Sequence, residues 1–369
     1  MANKAYKFRL YPTTEQGILL AKTFGCVRFV YNLMLAERKE TYEQFKDNKE
    51  LLNQQKLPTP AKYKTEFDWL KEVDSLALAN AQMSLQKAYT NFFAGRAKFP
   101  KSKNRKARQS YTTNVVNGNI QLVDGQIKLP KLKFVRLNQH REIPSHHIIK
   151  SCTISRSVTG NYHISILTEY EHTPLPTEIK QIVGLDFAMD GLYVESEQGE
   201  KANYPRFYRQ TLIKLGKEQR ILSRRTTGSV RYEKQRIKVA KIHEHMANQR
   251  KDFLHKKSHQ LANQTDCVVI EDLNMKGMAQ ALHFGKSVAD NGWGMFTIFL
   301  HYKLVEQGKQ LVKINKWFPS TKTCSDCGHV KEVALSERIY SCACGFVFDR
   351  DWNAAINIKN EEKLMLGLA

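Results

Sequence analysis

The chain has 369 residues, enough for two or three domains, and its 41% hydrophobic content is too high for wholesale disorder. Its net charge of +22, from 58 basic and 36 acidic residues, indicates an anionic partner. Nucleic acid is the commonest such partner because phosphate contacts release counterions, and a ribosome or an anionic membrane surface is the alternative. No apolar run reaches the roughly 18 residues of a membrane span, and the N-terminus lacks the apolar core of a signal peptide. We therefore expect a cytoplasmic protein without a membrane partner.

The first hundred residues are predicted to form one strand followed by helices. Residues 4–11 alternate polar and apolar side chains, which is the period of a half-buried strand. Pro12 ends this strand, and Thr13 or Thr14 precedes a helical pattern of apolar residues. Further helix is predicted over residues 43–49 and 76–93.

A basic loop is predicted after the helices. Residues 96–108 contain seven basic residues and no acid, and Pro100 and Asn104 disfavour regular structure. The loop is either a solvated linker or, with Phe99 and Tyr111 beside it, a surface that contacts nucleic acid. The candidate contact residues are Lys103, Arg105 and Lys106.

Short strands are predicted between residues 110 and 170. One hairpin turns at Asp124-Gly125, and a second pair of strands turns at residues 159–161. Several short strands of this kind suggest a small β-barrel, which residues 4–11 would complete. A linker follows at residues 171–179.

The remaining chain alternates strands and helices. A long helical stretch over residues 205–262 is interrupted near residues 226–228, and bases outnumber acids 17 to 4 between Lys201 and Lys257. This excess favours a nucleic-acid track with Arg224 and Arg225 at its turn. The other predicted elements are strands at 182–186, 191–196, 266–271 and 310–316 and helices at 293–307 and 351–360.

Three acids stand where a charge is costly unless it is paired or binds a cation. Asp186 lies inside an apolar strand, Glu271 ends another, and Asp351 begins a helix. If the three converge, their hard oxygen ligands suit two Mg²⁺ or Mn²⁺ ions of the kind that hydrolyses phosphodiesters. Each acid also has an ordinary interpretation as a cap or strand-end residue, and Asp349 competes with Asp351 for the third position.

Four of the seven cysteines are clustered. Cys324 and Cys327 form a CxxC pair, and Cys342 and Cys344 form a CxC pair, with fourteen residues between the two pairs. Two such pairs predict one tetrahedral, structural Zn²⁺ site, with His329 as an alternative ligand. The isolated Cys26, Cys152 and Cys267 are predicted to be reduced core residues.

The chain resembles the TnpB family, the transposon-encoded ancestor of type V CRISPR effectors. The three acidic segments GLDFAMDGLYV, VVIEDLNMKGM and DRDWNAAINI resemble the three RuvC nuclease signatures of that family. KAYKFRLYP, FGCVRFVYN, NGWGMF, FPSTKTCSDCG and the basic segment 222–256 extend the resemblance over essentially the whole chain. It implies that Asp186, Glu271 and Asp351 are catalytic, that Asp351 is preferred over Asp349, and that Asn353 supports the site.

The resemblance also implies a multidomain α+β architecture. The expected parts are a β-barrel from residues 1–12 and 110–175, a helical recognition insertion with the basic linker at 13–109, an RNase H-like (RuvC) domain at 180–369, and a zinc knuckle inserted at 318–348. The implied function is RNA-guided cleavage of double-stranded DNA beside a short adjacent motif, with a guide RNA from the transposon's right end, in the prokaryotic cytoplasm at the nucleoid. The alternatives are a nuclease-silent RNA-guided repressor and a transposition accessory protein.

By the same resemblance, the adjacent motif is read from the helix near residues 74–89. Asn and Gln pair well with adenine in the major groove, so Asn80 and Gln82 are the predicted contacts. Ordinary solvent-facing polar residues are the alternative interpretation.

Overall fold

A computed structural model describes residues 1–106, 108–189, 191–281, 285–334 and 336–365. Asp190 of the first acidic signature lies outside the described residues. The chain divides into two compact units, Met1–Thr173 and Pro174–Ala369. The division lies within the linker predicted at residues 171–179, while the domain assignments on either side stay predictions.

Unit 1 contains helices and one antiparallel sheet. Its helices are α1 (Thr14–Phe45), α2 (Lys49–Gln54), α3 (Pro60–Glu66) and α4 (Ser75–Phe93), with a 3₁₀ helix at Asp68–Glu72. Its strands are β1 (Ala2–Tyr11), β2 (Gln109–Asn114), β3 (Gln121–Val123), β4 (Gln126–Leu129), β5 (Lys133–Asn138), β6 (Ile148–Arg156) and β7 (Tyr162–Tyr170). The strand order is β2-β6-β7-β1-β5-β4-β3. Within the described ranges the end strands β2 and β3 do not pair, so the hydrogen-bonded sheet is open and a closed barrel stays a prediction.

The helix α1 is a core helix of unit 1. A capping box between Thr13 and Gln16 starts it, so Thr13 is the one of the two predicted threonines that caps the helix. It is long and apolar enough to cross a membrane by length and composition alone, but half of its apolar window is buried within the protein. Its side chains, including Leu20 and Val30, belong to the same core as Leu78 of α4.

One expectation about the surface of unit 1 is wrong. Tyr111, predicted to accompany the basic loop as a contact residue, is 4% exposed and packs at a ring-centroid distance of 5.8 Å from Phe24. Tyr111 lies on the strand β2, whose alternating pattern directs this side chain into the core. Phe99 is exposed as expected.

Unit 2 is an α/β unit around a four-stranded sheet. Its strands are β8 (Ile182–Ala188), β9 (Leu192–Glu195), β10 (Cys267–Glu271) and β11 (Gln310–Ile314), and the hairpin β12 (Ile339–Ser341) and β13 (Val347–Asp349) stands apart. Its helices are α5 (Phe207–Ser223), α6 (Val230–Gln264), α7 (Met275–Ala281), α8 (Gly285–Asn291), α9 (Trp293–Glu306) and α10 (Arg350–Met365). The order is β11-β10-β8-β9, with β8, β10 and β11 parallel and β9 antiparallel.

The central strands of unit 2 are almost continuously buried. All residues of β8 except Phe187 and all of β10 except Glu271 are buried, as expected for parallel strands covered on both faces. The helix α10 approaches β8 very closely at Gly184, where an added Cβ would lie 2.2 Å from the carbonyl oxygen of Ala355. A side chain at position 184 would therefore push α10 away from the strand.

Candidate active site and zinc cluster

The register of the parallel strands places two of the predicted acids side by side. Leu185 of β8 pairs with Ile270 of β10, so Asp186 and Glu271 follow at the carboxyl ends of neighbouring strands. That edge of an open parallel sheet is the usual place for a binding site. Asp186 is 7% exposed, and Glu271 accepts a hydrogen bond from the Ser320 hydroxyl at 2.5 Å.

The helix α10 brings the third acid to the same edge. Asp351 lies in its first turn, one helical turn before Ala355, the residue that contacts β8 at Gly184. Asp349 instead accepts hydrogen bonds from the backbone amides of Asp351 and Trp352, both at 3.0 Å, so it acts as the helix cap. The cap interpretation that the sequence leaves open for Asp351 therefore belongs to Asp349.

A single cavity of about 650 Å³ is lined by Asp186, Glu271 and Asp351 together. Arginines also line it, and two of them, Arg350 and Arg338, approach Asp351. The Arg350 guanidinium donates to Asp351 Oδ1 at 2.7 and 3.0 Å, and Arg338 lies 3.7 Å from Oδ2. The cavity thus combines four carboxylates, those of the three predicted acids and Asp290, with cations, which is a suitable surface for a phosphodiester and hard metal ions.

The environment of Asp186 and Glu271 disfavours the charged forms of these two acids. Burial, reinforced by the carboxylates of Glu271 and Asp351, holds the pKa of Asp186 well above its usual range, and Arg350 opposes this only in part. Burial likewise raises the pKa of Glu271, against the hydrogen bond from Ser320. A perturbation of this kind is typical of functional acids in a cleft.

The carboxylates of the three predicted acids are suited to binding divalent cations. Within the described residues, only the four clustered cysteines bring three or more candidate ligand atoms within 4.8 Å of one another, so the carboxylates are spread more widely around the cavity. Burial acts against the anions of Asp186 and Glu271, and neighbouring carboxylates add to the effect on Asp186. Bound cations of charge +2 would offset this effect, and carboxylate oxygens are the ligands that Mg²⁺ and Mn²⁺ prefer.

Removing the charge of Asp186 should stabilise the metal-free protein. A carboxyl whose folded-state pKa lies above its unfolded value costs stability as the pH rises through that interval. We therefore expect Asp186→Asn, measured by thermal unfolding at pH 8 in buffer without Mg²⁺ or Mn²⁺ and without chelator, to raise Tm by about 2–4 °C, which is the change that about 1 kcal/mol makes in a unit of this size. Asp349→Ala, the matched control, should lower Tm because it removes a cap. A lower Tm for Asp186→Asn would mean that Arg350 already compensates the charge.

The four clustered cysteines form a preorganised tetrad. Their sulfurs all lie within 4.8 Å of one another, with Cys324 and Cys344 3.8 Å apart and Cys327 and Cys342 3.6 Å apart. Four sulfurs bound at about 2.3 Å to one tetrahedral zinc stand about 3.8 Å apart, so the spacing fits this ion. Both cysteines of the short CxC pair therefore belong to the tetrad. Within the described residues, His329 is not a member of it.

The cysteine tetrad is joined to the helix that carries Asp351. The fully buried Asn353 accepts a hydrogen bond from the Ser325 amide at 3.0 Å and donates to the Thr323 carbonyl at 2.8 Å, on either side of Cys324. Asn357 donates to the carbonyls of Thr323 and Ser320 at 2.6 and 2.8 Å. The Ser320 hydroxyl in turn donates a hydrogen bond to the Glu271 carboxylate. Asn353 thus supports the site by clamping the tetrad segment onto α10.

Some residues of the site give no signal in the sequence. Ser320, Arg338 and Arg350 are ordinary polar residues until the fold brings them to the acids. The FPST segment before Cys324 is the only hint for Ser320, and its position beside the tetrad depends on the tertiary contacts of Asn357.

The predicted basic contacts lie on the surface. Arg224 and Arg225 are exposed at the turn between α5 and α6, and Lys103, Arg105 and Lys106 are exposed in unit 1. Lys103 is also anchored there: its backbone exchanges two hydrogen bonds with the Asn32 side chain, and its ammonium lies 3.9 Å from the ring centroid of Tyr31.

Replacing exposed cations should change the salt dependence of RNA binding. If Arg224 and Arg225 contact phosphates, the double alanine variant should reduce the magnitude of the slope of log K against log salt by about 1.4–1.8. Alanine at Lys103, Arg105 and Lys106 should act in the same direction. Filter binding or fluorescence anisotropy over a salt series measures the slope. A slope equal to that of the wild type would identify these residues as solvated charges without phosphate contacts.

The two predicted motif-reading amides are partly engaged within unit 1. Asn80 donates to the carbonyl of Leu76 at 2.9 Å along its own helix, and Gln82 donates to the carbonyl of Pro58 at 3.4 Å. Both side chains are half-buried, whereas Met83 and Ser84 on the same helix are exposed. The assignment of Asn80 and Gln82 to motif reading stays a prediction.

A randomised library beside a fixed target tests that assignment. If Asn80 and Gln82 read bases, Asn80→Ala and Gln82→Ala should each relax one position of the preferred motif, with about 1–3 kcal/mol of lost discrimination. Ser84→Ala is the control on the exposed face of the helix. Identical motifs and rates in the wild type and both variants would place recognition elsewhere.

Comparison with protein families finds matches in three segments. Residues 165–282 match the family described as a probable transposase, residues 1–47 match a helix-turn-helix domain, and residues 293–358 match the Cas12f1-like TNB domain. The segment 1–47 consists here of a strand and one continuous helix, β1 and α1. The TNB match contains all four clustered cysteines.

Comparison with whole proteins finds relatives of similar length. A "Putative RNA-guided DNA endonuclease" of Streptomyces pristinaespiralis is 36% identical over 96% of this chain and 88% of its own. The similarly named InsQ of Escherichia coli K12 is 31% identical over 96% of this chain and 91% of its own. A cryo-EM structure of a Cas12f1–sgRNA–target DNA complex matches 98% of this chain and 99% of its own, with a TM-score of 0.58 and 13% identity, which establishes a shared fold.

Proposed function

Because the chain belongs to the TnpB family, we propose that it is an RNA-guided endonuclease that cuts double-stranded DNA beside a short adjacent motif. The observation that carries the proposal is the convergence of Asp186, Glu271 and Asp351 on one cavity at the carboxyl edge of the sheet. The net charge of +22 supports binding to nucleic acid over a large surface.

The cavity of unit 2 is the proposed catalytic site. We assign unit 2 to an RNase H-like (RuvC) fold, with β8 and β10 as its central strands and α10 packed on them, and the sheet of unit 1 to the barrel and helical recognition domain. Asp186, Glu271 and Asp351 would hold two Mg²⁺ or Mn²⁺ ions, which supply an activated water and stabilise the leaving 3′ oxygen when bound. Ser320 fixes the orientation of Glu271, and Arg350 keeps Asp351 turned into the cavity.

Zinc and RNA complete the proposed assembly. The cysteine tetrad would bind one structural Zn²⁺ because all four positions are protein thiolates, leaving no open position for chemistry. The guide RNA, transcribed from the right end of the transposon, would pair with the target strand while the protein contacts backbone and shape. The assembly would act in the prokaryotic cytoplasm, at the nucleoid.

Two other functions predict different outcomes in one assay. A nuclease-silent repressor would bind a matched target without cutting it, although such a protein has no need for three converging acids. A transposition accessory protein would act on transposon ends irrespective of a guide. Purified ribonucleoprotein, incubated with Mg²⁺ and a plasmid library that carries the matched target beside random sequence, should linearise only plasmids with a particular adjacent motif. Binding without cutting would favour the repressor.

A further inference from the structure

The short helix α8 contacts the helix α5 and the end of the strand β8 through three side chains. Ser287 accepts a hydrogen bond from Nη2 of Arg209 at 3.0 Å, and Asp290 accepts one from the Tyr208 backbone amide at 3.1 Å, so both hold the first turns of α5. Asn291 donates to the carbonyl of Ala188 at 3.0 Å, at the end of the strand that carries Asp186. The basic hairpin α5–α6 is therefore fixed to the catalytic strand through α8.

Asp290 is the central residue of this connection. It is 5% exposed, and its Oδ1 also faces the Tyr204 hydroxyl at 3.3 Å and Arg250 at 3.5 Å. The helix α5 begins at a left-handed residue without a side-chain cap of its own, so Asp290 supplies from α8 the acceptor that a cap residue would provide. Its Oδ2 is buried and has no hydrogen-bond partner within the described part of the chain. A buried carboxylate oxygen without a hydrogen-bond partner destabilises the fold, so we expect Asp290 to have a role beyond packing.

Arg209, which the helix α8 contacts through Ser287, contributes a positive charge to the cavity. Arg209 lines the cavity together with the three acids, and Asp290 and Ser287 line it as well. Its contact through Nη2 is to a neutral hydroxyl, and it forms no ion pair among the described residues. The charge of Asp290 is balanced by Arg250. This side of the cavity therefore retains the positive charge of Arg209.

We propose that Arg209 forms a phosphate-binding subsite for the DNA strand in the cavity, and that Asp290 is the positioning residue that holds it there. The proposal rests on the proposed nuclease function and specifies how the substrate strand is held. A strand that approaches three carboxylates is repelled by them, and a guanidinium can bind a neighbouring phosphate with charge-assisted hydrogen bonds. The phosphate concerned is one that flanks the cut and differs from the cleaved one.

Methylphosphonate interference tests the subsite. Each phosphate within a few nucleotides of the cut is replaced in turn by a neutral methylphosphonate, and cleavage is followed in a single turnover after Mg²⁺ is added to preformed complexes. In the wild type we expect one flanking position at which neutralisation slows cleavage by about 10-fold or more, the loss expected for a charged hydrogen bond. In Arg209→Ala cleavage should already be slow, and that position should no longer respond.

The role of Asp290 is tested in the same interference profile, which is the set of cleavage rates with a methylphosphonate at each position around the cut. Asp290→Ala should reduce the response of that position to less than about 3-fold, and Asp290→Asn, which keeps an acceptor for the Tyr208 amide, should restore part of it. Gln210→Ala, an uncharged and exposed neighbour of Arg209 on α5 outside the cavity lining, should show the wild-type profile. A loss of folding alone would slow cleavage at every position equally and would leave the profile unchanged.

The possible failures are distinct. A wild-type profile in Arg209→Ala overturns the subsite, and a wild-type profile in Asp290→Ala overturns the positioning role. If the wild-type ribonucleoprotein cuts no matched target at all, the proposed function fails instead.

Discussion

Asp186→Ala is expected to abolish target cleavage while RNA and target binding stay close to wild type. Asp186 lines the cavity together with Glu271 and Asp351, and at 7% exposure it offers little surface for the affinity of a long nucleic acid. If Asp186 is a ligand of catalytic cations, as we propose, its loss removes several kcal/mol of transition-state stabilisation. The single-turnover rate should fall by at least about 10³-fold, since each factor of ten corresponds to about 1.4 kcal/mol.

The control for this result lies two residues from the third acid. Asp351→Ala should behave like Asp186→Ala, whereas Asp349→Ala removes only a helix cap and should slow cleavage by less than about 10-fold. Rates are measured on the same preformed complexes, and binding is measured by gel shift. If Asp349→Ala abolished cleavage and Asp351→Ala did not, the third acid would be Asp349.

Cys324→Ser is expected to lose the bound zinc and a large part of the stability of unit 2. Cys324 is 1% exposed, and its two neighbours in the chain are the residues that Asn353 clamps to α10. Zinc binding contributes directly to folding free energy, and a loss of about 3 kcal/mol would lower Tm by roughly 6–12 °C. Cleavage should fall as well, because Asp351 is carried by the helix that the tetrad supports.

His329→Ala separates the tetrad from the alternative ligand set. The variant should retain one zinc per chain by elemental analysis, since the four sulfurs already stand at tetrahedral spacing. Loss of zinc in His329→Ala with retention in Cys344→Ser would show that the histidine is the fourth ligand. Zinc-free protein from a preparation without chelator would refute the site altogether.

Short-range patterns identify the three acids as candidates, and the resemblance to the TnpB family selects them as a set. Asp186 and Glu271 each follow or interrupt an apolar run that forms a central parallel strand, and parallel strands end at the same edge. The CxxC and CxC pairs likewise indicate a metal cluster through spacing alone. The position of Asp351 depends on one further feature, the close approach of α10 to Gly184, which has no local pattern.

The remaining features depend on tertiary contacts. A tyrosine beside a basic loop has the same local sequence whether it faces solvent or the core, and the strand register placed Tyr111 in the core. Asn80 and Gln82 were chosen for their chemistry, while the carbonyls of Leu76 and Pro58 compete for their amides. The helices α7 and α8 give no clear signal in the sequence because each has only seven residues, too few for a clear periodicity.

The most direct test of the account is reprogramming of the cut. Ribonucleoprotein is prepared twice with guides that differ only in the segment complementary to the target, and each is incubated in Mg²⁺ with one plasmid that carries both targets beside the preferred motif. We expect the cut to move from one target to the other with the guide, and we expect Asp186→Ala to bind both targets and cut neither. A cut that stays at one position whichever guide is present, or equal cleavage by Asp186→Ala, would contradict it.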